Sequence, residues 1–168
     1  MYHTIIPYPR GQILLVKSDK GLSFAEFIKK PRQIENIAEF LRKKALPFER
    51  NDQKFKLEKK LFEKYFNGKK EDFTTLPIDL ILGTSYQKRV WREARKIPHG
   101  KTKSYKSLAE KLNHKGYRSV GQAMGKNPLI IVIPCHRVLQ SDGSLGGFGA
   151  GLDIKEYLLR LEKEEIPS

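Results

Sequence analysis

Cysteine is almost missing from this chain of 168 residues: Cys135 stands alone. One thiol excludes an internal disulfide and agrees with a reducing compartment. With four scattered histidines, His3, His99, His114 and His136, it does not make the tightly spaced set of four Cys or His ligands that closes a structural zinc site, so no metal is expected. Long apolar runs are lacking too. The longest, Leu129 to Ile133, and the stretch Ile78 to Leu82 around Asp79 fall far short of the roughly 18 to 20 residues that span a bilayer, so no membrane association is expected. No amino-terminal stretch joins a basic start, an apolar core and a small-residue cleavage site, which predicts a cytoplasmic protein.

Acidic residues are scarce where it matters most. Lys and Arg number 33 against 19 Asp and Glu, a formal charge of +14. Between residues 88 and 137 there are thirteen basic residues and two acids, Glu93 and Glu110, whereas the first eighty residues carry seventeen and eleven. A surplus of this kind implies a polyanionic partner, nucleic acid before an anionic membrane. A solvated lysine-rich face on a heat-adapted protein is the plainer alternative.

The patterning divides the chain near residue 80. Tyr2 to Ile6, Gln12 to Lys17 and Leu22 to Phe27 read as short strands of an antiparallel sheet, with Ser18 to Gly21 as a turn. Ile34 to Lys44 and Gln53 to Phe66 read as amphipathic helices, and their apolar faces as core. Residues 69–80, polar and carrying Pro77, suit a linker, giving domains 1–80 and 81–168. Beyond it, Thr84 and Gln87 form a capping box opening a helix that Pro98 and Gly100 end. Ser104 caps a second helix, Asn113 to Gly116 form a tight turn, and a third helix runs from about Arg118 to Lys126. The last two make a helix-turn-helix pattern in the basic region, which points to duplex DNA. Gly121, Ala123 and Gly125 allow close approach of another backbone, whether DNA or a neighbouring helix.

"IPCHRV", at 133 to 138, raises a choice between a nucleophile and an inert buried thiol. The run Leu129 to Ile133 predicts a buried extended segment that delivers Cys135 to a fixed place, and Pro134 ends regular structure at the thiol. A thiol of ordinary pKa, roughly 8.5, is only a few per cent ionised at neutral pH and needs help. His136 could supply it, but neighbours on an extended chain diverge, so a bridging water is expected. The histidine then needs an orienting carboxylate from the last helix, Asp153 to Glu164. Glu156 is a candidate, although Asp153 and Glu156 also read as a capping pattern and Glu156 can pair with Arg160.

"PCHRV" at 134 to 138 resembles the active-site signature of the O6-alkylguanine-DNA alkyltransferases, also called methylated-DNA-protein-cysteine methyltransferases. "GTSYQKRVW" at 83 to 91, "IPHGKTKSYKSLA" at 97 to 109, "RSVGQAMGKNP" at 118 to 128 and "GGFGAGLDIKEYLL" at 146 to 159 follow in the family's order and spacing. Over residues 1 to 80 the resemblance is one of layout only. It implies an α+β fold: a small ribonuclease-H-like domain with an antiparallel sheet and helices, then a mainly helical, winged-helix-like domain with the helix-turn-helix.

The function so implied is DNA repair by direct reversal, on O6-alkylguanine and O4-alkylthymine in duplex DNA. Cys135 would be the single-use alkyl acceptor, His136 its water-linked base, Glu156 the orienting carboxylate, and Tyr105 a hydroxyl donor near N3 of the guanine. Asn127 would brace the hinge. Arg118 would fill the gap left by the flipped nucleotide, with Ser119, Gly121, Gln122, Ala123 and Lys126 along the minor groove. The carbonyls of Cys135 and Val138 would read the exocyclic amine, and Phe148, Gly149 and Ala150 would close the pocket. Phe148-Gly149 stands where many relatives have Tyr-Ser, so one hydroxyl donor to O6 is gone and backbone amides of the loop take more of the contact. The implied protein needs no cofactor and acts as a monomer. Two rival readings remain open: a non-catalytic lesion sensor, which the presence of Cys135 disfavours, and a Cys-His thioester hydrolase, which leaves the basic region without a role.

Overall fold

The computed structural model describes residues 1–113 and 116–163. Three strands open the chain: β1 (Tyr2–Tyr8), β2 (Gly11–Lys17) and β3 (Leu22–Ile28). Each pairs antiparallel with the next. The β2–β3 turn depends on Gly21, whose φ is +153° and where a Cβ would lie 2.6 Å from the Pro77 backbone. No other residue fits that approach.

Helix α1 (Arg32–Lys43) begins after Pro31, and a short strand β4 (Glu49–Arg50) then returns to pair parallel with β1. The sheet order is therefore β3-β2-β1-β4. Sequence periodicity predicted one helix over Gln53 to Phe66; the structure has a 3-10 turn at Asp52–Phe55 followed by α2 (Lys56–Phe66). One sheet face packs on α1 through Leu14, Val16, Phe24 and Leu41. The other contributes Ile13, Leu15 and Phe27 to a larger core shared with α2 and the second half of the chain.

In the second half, α3 (Ser85–Ala94) starts at the expected capping box: Thr84 accepts from the Gln87 N–H, and the Gln87 side chain accepts from Thr84 N–H. Ser104 likewise caps α4 (Tyr105–Lys111), accepting from Ser107 N–H at 2.9 Å. Helix α5 (Tyr117–Gly125) packs on α3 and α4. The predicted tight turn between α4 and α5 includes His114 and Lys115, which lie outside the described residues. Short strands β5 (Lys103–Ser104) and β6 (Val138–Leu139) pair parallel, and α6 (Leu152–Lys163) closes the described chain. Glu164, the expected last residue of that helix, also lies outside it.

The segment before the cysteine departs from expectation. Leu129 to Ile133 is fully interior, but it is not a strand. Leu129 makes a single parallel bridge to Ala25 of β3. The chain then turns, with Ile133 N–H on the Leu129 carbonyl at 2.8 Å and Ile131 at φ +69°. A β-branched residue in the left-handed region costs on the order of 1–3 kcal/mol, and burial on all sides holds it there. Apolar composition predicted the burial and could not show the turn, because a buried strand and a buried turn have the same pattern over five residues.

Candidate active site and DNA-facing groove

Cys135, His136 and Arg137 form a 3-10 turn after Pro134, so their side chains leave in different directions. Cys135 is 6 % exposed and opens on a groove of about 850 Å3. Its Sγ accepts from Asn127 Nδ2 at 3.2 Å; the same amide donates to the Ile133 carbonyl at 2.8 Å, and its Oδ1 accepts from Leu129 N–H at 2.9 Å. Asn127 thus ties the end of α5 to the turn that carries the thiol. Burial pushes the thiol pKa up, while the Asn127 hydrogen bond and the nearby Lys155 ammonium pull it down.

His136 is fully buried. Its Nε2 lies 2.6 Å from Glu162 Oε1, and its Nδ1 has no hydrogen-bond partner among the described residues. Burial lowers the imidazole pKa, opposed by the Glu162 carboxylate. Among the described residues nothing bonds Nδ1, which leaves that nitrogen as the one that can act as a base.

The carboxylate that bonds His136 is Glu162 and not Glu156. Glu156 is exposed and pairs with Arg160 at 2.7 Å, the plain role its spacing allowed. A 3.6-residue period places Lys155, Leu158 and Glu162 on the inward stripe of α6, and Glu156 about 100° away from Lys155. Glu162 is 2 % exposed. Beyond His136 it accepts from Arg137 Nε and Nη2, at 3.0 and 2.9 Å, and from Gly100 N–H at 3.2 Å. Burial alone would raise its pKa, but His136 and Arg137 outweigh that and hold the carboxyl far below the usual range. Arg137 is itself buried, donating also to the Ile97 carbonyl at 2.6 Å and reaching Asp72 of the linker at 3.5 Å.

Lys155 is a second charged residue that sequence reasoning passed over. Its side chain is fully buried, and its Nζ donates to the carbonyls of Val138 (2.7 Å), Leu145 and Gly147 (3.4 Å). Burial lowers its pKa to about 8. It pins the glycine-rich loop onto β6 and places a positive charge near the thiol. The signal for both residues was charge at inward positions of an amphipathic helix, which is rare without a partner.

Most of the remaining predicted residues converge on the groove. Tyr105, Asn127 and Cys135 line it, with Arg118, Gly121, Gln122 and Lys126 along one wall and Phe148, Gly149 and Ala150 along another. Tyr105 Oη reaches the Gly147 carbonyl at 3.4 Å, and burial raises its pKa, helped by the neighbouring Cys135. Arg118, Gln122 and Lys126 are exposed, and a Cβ on Gly125 would meet nothing within 4 Å.

One of the expected roles does not fit this geometry, and two further residues are already engaged within the fold. Ala123 faces inward at 2 % exposure, its carbonyl accepting from Trp91 Nε1 at 2.8 Å, so it packs α5 on α3 and cannot touch a groove ligand. The Ser119 hydroxyl is engaged with the Gly116 carbonyl at 2.7 Å and Tyr86 Oη at 2.9 Å, holding the start of α5. The Val138 side chain is fully buried, and its carbonyl accepts from Lys155 Nζ at 2.7 Å. The helical period decides the first of these, since Val120, Ala123 and Met124 share the face that packs.

No helix among the described residues is long and apolar enough to cross a membrane. Two family models match the chain: the ribonuclease-like domain of 6-O-methylguanine DNA methyltransferase over residues 1–80 and its DNA binding domain over 85–164. The chain is 42% identical over 170 residues to a methylated-DNA-protein-cysteine methyltransferase of Methanosarcina barkeri, covering 99% of each. It is 38% identical to one from Haemophilus influenzae, covering 97% of this chain and 87% of that one. Among solved structures, a Mycobacterium tuberculosis OGT in complex with DNA superposes with a TM-score of 0.82 at 29% identity, covering 100% of this chain and 96% of that one. The chain belongs to the 6-O-methylguanine DNA methyltransferase family.

Proposed function

We propose that this chain repairs duplex DNA by moving an alkyl group from O6 of guanine to Cys135, once per molecule. The observation that carries this reading is one groove shared by two features. The only thiol of the chain, hydrogen-bonded by Asn127, opens on the space that Arg118, Gln122 and Lys126 of the basic helix α5 line.

The target carbon is out of reach in a stacked duplex, so the nucleotide is flipped into the groove at a cost of a few kcal/mol. Arg118 fills the gap, while phosphate contacts from the basic half offset the cost without selecting sequence. Helix α5 enters the minor groove. The Cys135 proton passes through a water to His136 Nδ1, and Glu162 stabilises the resulting imidazolium. The thiolate attacks the alkyl carbon, a C–S bond forms as the C–O6 bond breaks, and the electron pair goes to the guanine. Tyr105 donates a proton at N3, so the base leaves neutral, and the proton held on His136 returns through water to the Tyr105 oxygen. The product is a thioether that water does not cleave, and with no second cysteine to resolve it the protein is spent. O4-alkylthymine presents the same oxygen-bound carbon and is the second substrate. The protein works as a monomer, with residues 1–80 and 81–168 as its two domains.

The test weighs protein and oligonucleotide after incubation with a duplex bearing O6-methylguanine. A stoichiometric gain of one methyl on the peptide containing Cys135 is expected. Tight binding without mass gain would leave a lesion sensor, and product beyond one equivalent would point to a hydrolase.

A further inference from the structure

The alkyl transfer proposed above uses Cys135, His136 and Glu162, all from the second half of the chain. The relay has a fourth member from the first half. Tyr65 lies on α2, and its side chain is fully buried. Its hydroxyl donates to Glu162 Oε1 at 2.8 Å and stands 3.4 Å from His136 Nε2. We propose that Tyr65 is a positioning residue for the transfer: its hydroxyl locks Glu162 and keeps His136 in the tautomer whose Nδ1 is the base. This rests on the alkyl-transfer reading.

Three features support the assignment. The first is that the hydroxyl cannot swing elsewhere. The ring is wedged against Phe66, Phe73 and His99, with centroids 5.3, 5.6 and 5.8 Å away. Packing alone would be served by phenylalanine, and a buried hydroxyl is retained at a desolvation cost unless it is bonded.

The second is the way the carboxylate is shared. Arg137 reaches both oxygens of Glu162 and would by itself hold it in a fork that ignores His136. Tyr65 on Oε1 and Gly100 N–H on Oε2 oppose rotation of the carboxylate, and Oε1 stays on His136.

The third is tautomer choice. A phenol that donates to Glu162 turns its oxygen lone pairs outward, so His136 Nε2 faces two acceptor oxygens, Glu162 Oε1 and Tyr65 Oη. Two acceptors at one ring nitrogen favour the proton there, which leaves Nδ1 with its lone pair free. The other titratable and charged groups facing this cluster are Arg137 on the 3-10 turn, Lys155 and Tyr157 on α6, His99 beyond α3, and Asp72 acting through Arg137.

The experiment compares wild type and Tyr65→Phe as full-length proteins, following single-turnover transfer from an O6-methylguanine duplex across pH, with DNA affinity measured alongside. The transfer rate at saturating DNA should fall roughly tenfold through loss of orientation. The acid limb of the profile should move to higher pH, because a carboxylate relieved of one donor holds the imidazolium more tightly. DNA affinity should not change. An acid limb that superimposes on that of wild type overturns the proposal, since a purely structural role moves only the amplitude. Nitrogen-15 NMR of histidine-labelled wild type gives an answer independent of how the variant folds: His136 protonated at Nε2 is expected, and a neutral ring protonated at Nδ1 overturns the proposal. If wild type transfers no methyl, the alkyl-transfer reading itself fails and this proposal falls with it; transfer by wild type with an unshifted variant sinks only Tyr65.

Discussion

Asn127 holds the sulfur of Cys135 by a hydrogen bond from Nδ2 at 3.2 Å, and the same side chain accepts from Leu129 N–H. Replacing it with alanine removes the donor that favours the thiolate and leaves a buried N–H unpaired. Asn127→Ala should raise the Cys135 pKa, visible as a later rise of thiolate absorbance with pH. It should cost about 2 kcal/mol of stability in denaturant titration, and slow transfer at least about tenfold. An unchanged thiolate titration would show that the Asn127 contact does not tune the sulfur.

Glu156 and Glu162 share one helix and should separate cleanly. Glu156→Gln removes an exposed pair with Arg160, worth about 0.5 kcal/mol or less, and should leave the transfer rate alone. Glu162→Gln leaves the Arg137 guanidinium buried against a neutral amide, a loss of about 3 kcal/mol. Transfer should fall with it, and a pair of single-turnover traces with melting curves decides the matter.

Acid should destabilise the fold through the same cluster. The folded-state pKa of Glu162 is depressed, so its contribution is present above its unfolded value, roughly 4.3, and is lost as pH falls below it. That of His136 is depressed as well; the unfolded ring binds a proton first, and stability begins to fall as pH drops below about 6.5. Melting temperature should therefore decline from about pH 6.5 downward and steepen below about 4.3. Glu162→Gln should flatten the lower part of that curve.

DNA binding should weaken steeply with added salt, since thirteen basic residues lie between 88 and 137. A flat response would remove phosphate contacts from the account. Arg118→Ala should slow repair of a duplex by roughly tenfold, consistent with unstacking costs of a few kcal/mol, and slow a single-stranded oligonucleotide much less, because no gap needs filling there.

Local rules were enough for much of the molecule. The caps at Thr84 and Ser104, the glycine turn at Gly21 and the basic helix pair each depend on residues within a few positions of one another, and all stand in the structure. Family motifs likewise singled out Cys135, Tyr105, Asn127 and Arg118, and the groove brings them together.

Long-range geometry decided the rest. Sequence alone settled that α6 would carry a carboxylate on an amphipathic helix; the angle at which α6 packs selected Glu162 over Glu156, because only one stripe of a helix faces a given partner. The turn at Ile131, the buried ammonium of Lys155 and the Tyr65 hydroxyl follow the same logic. Tyr65 and Glu162 are 97 residues apart and meet at 2.8 Å. Periodicity shows which face a residue occupies, but it says nothing of what that face will meet, since that depends on how the whole chain buries its apolar surface.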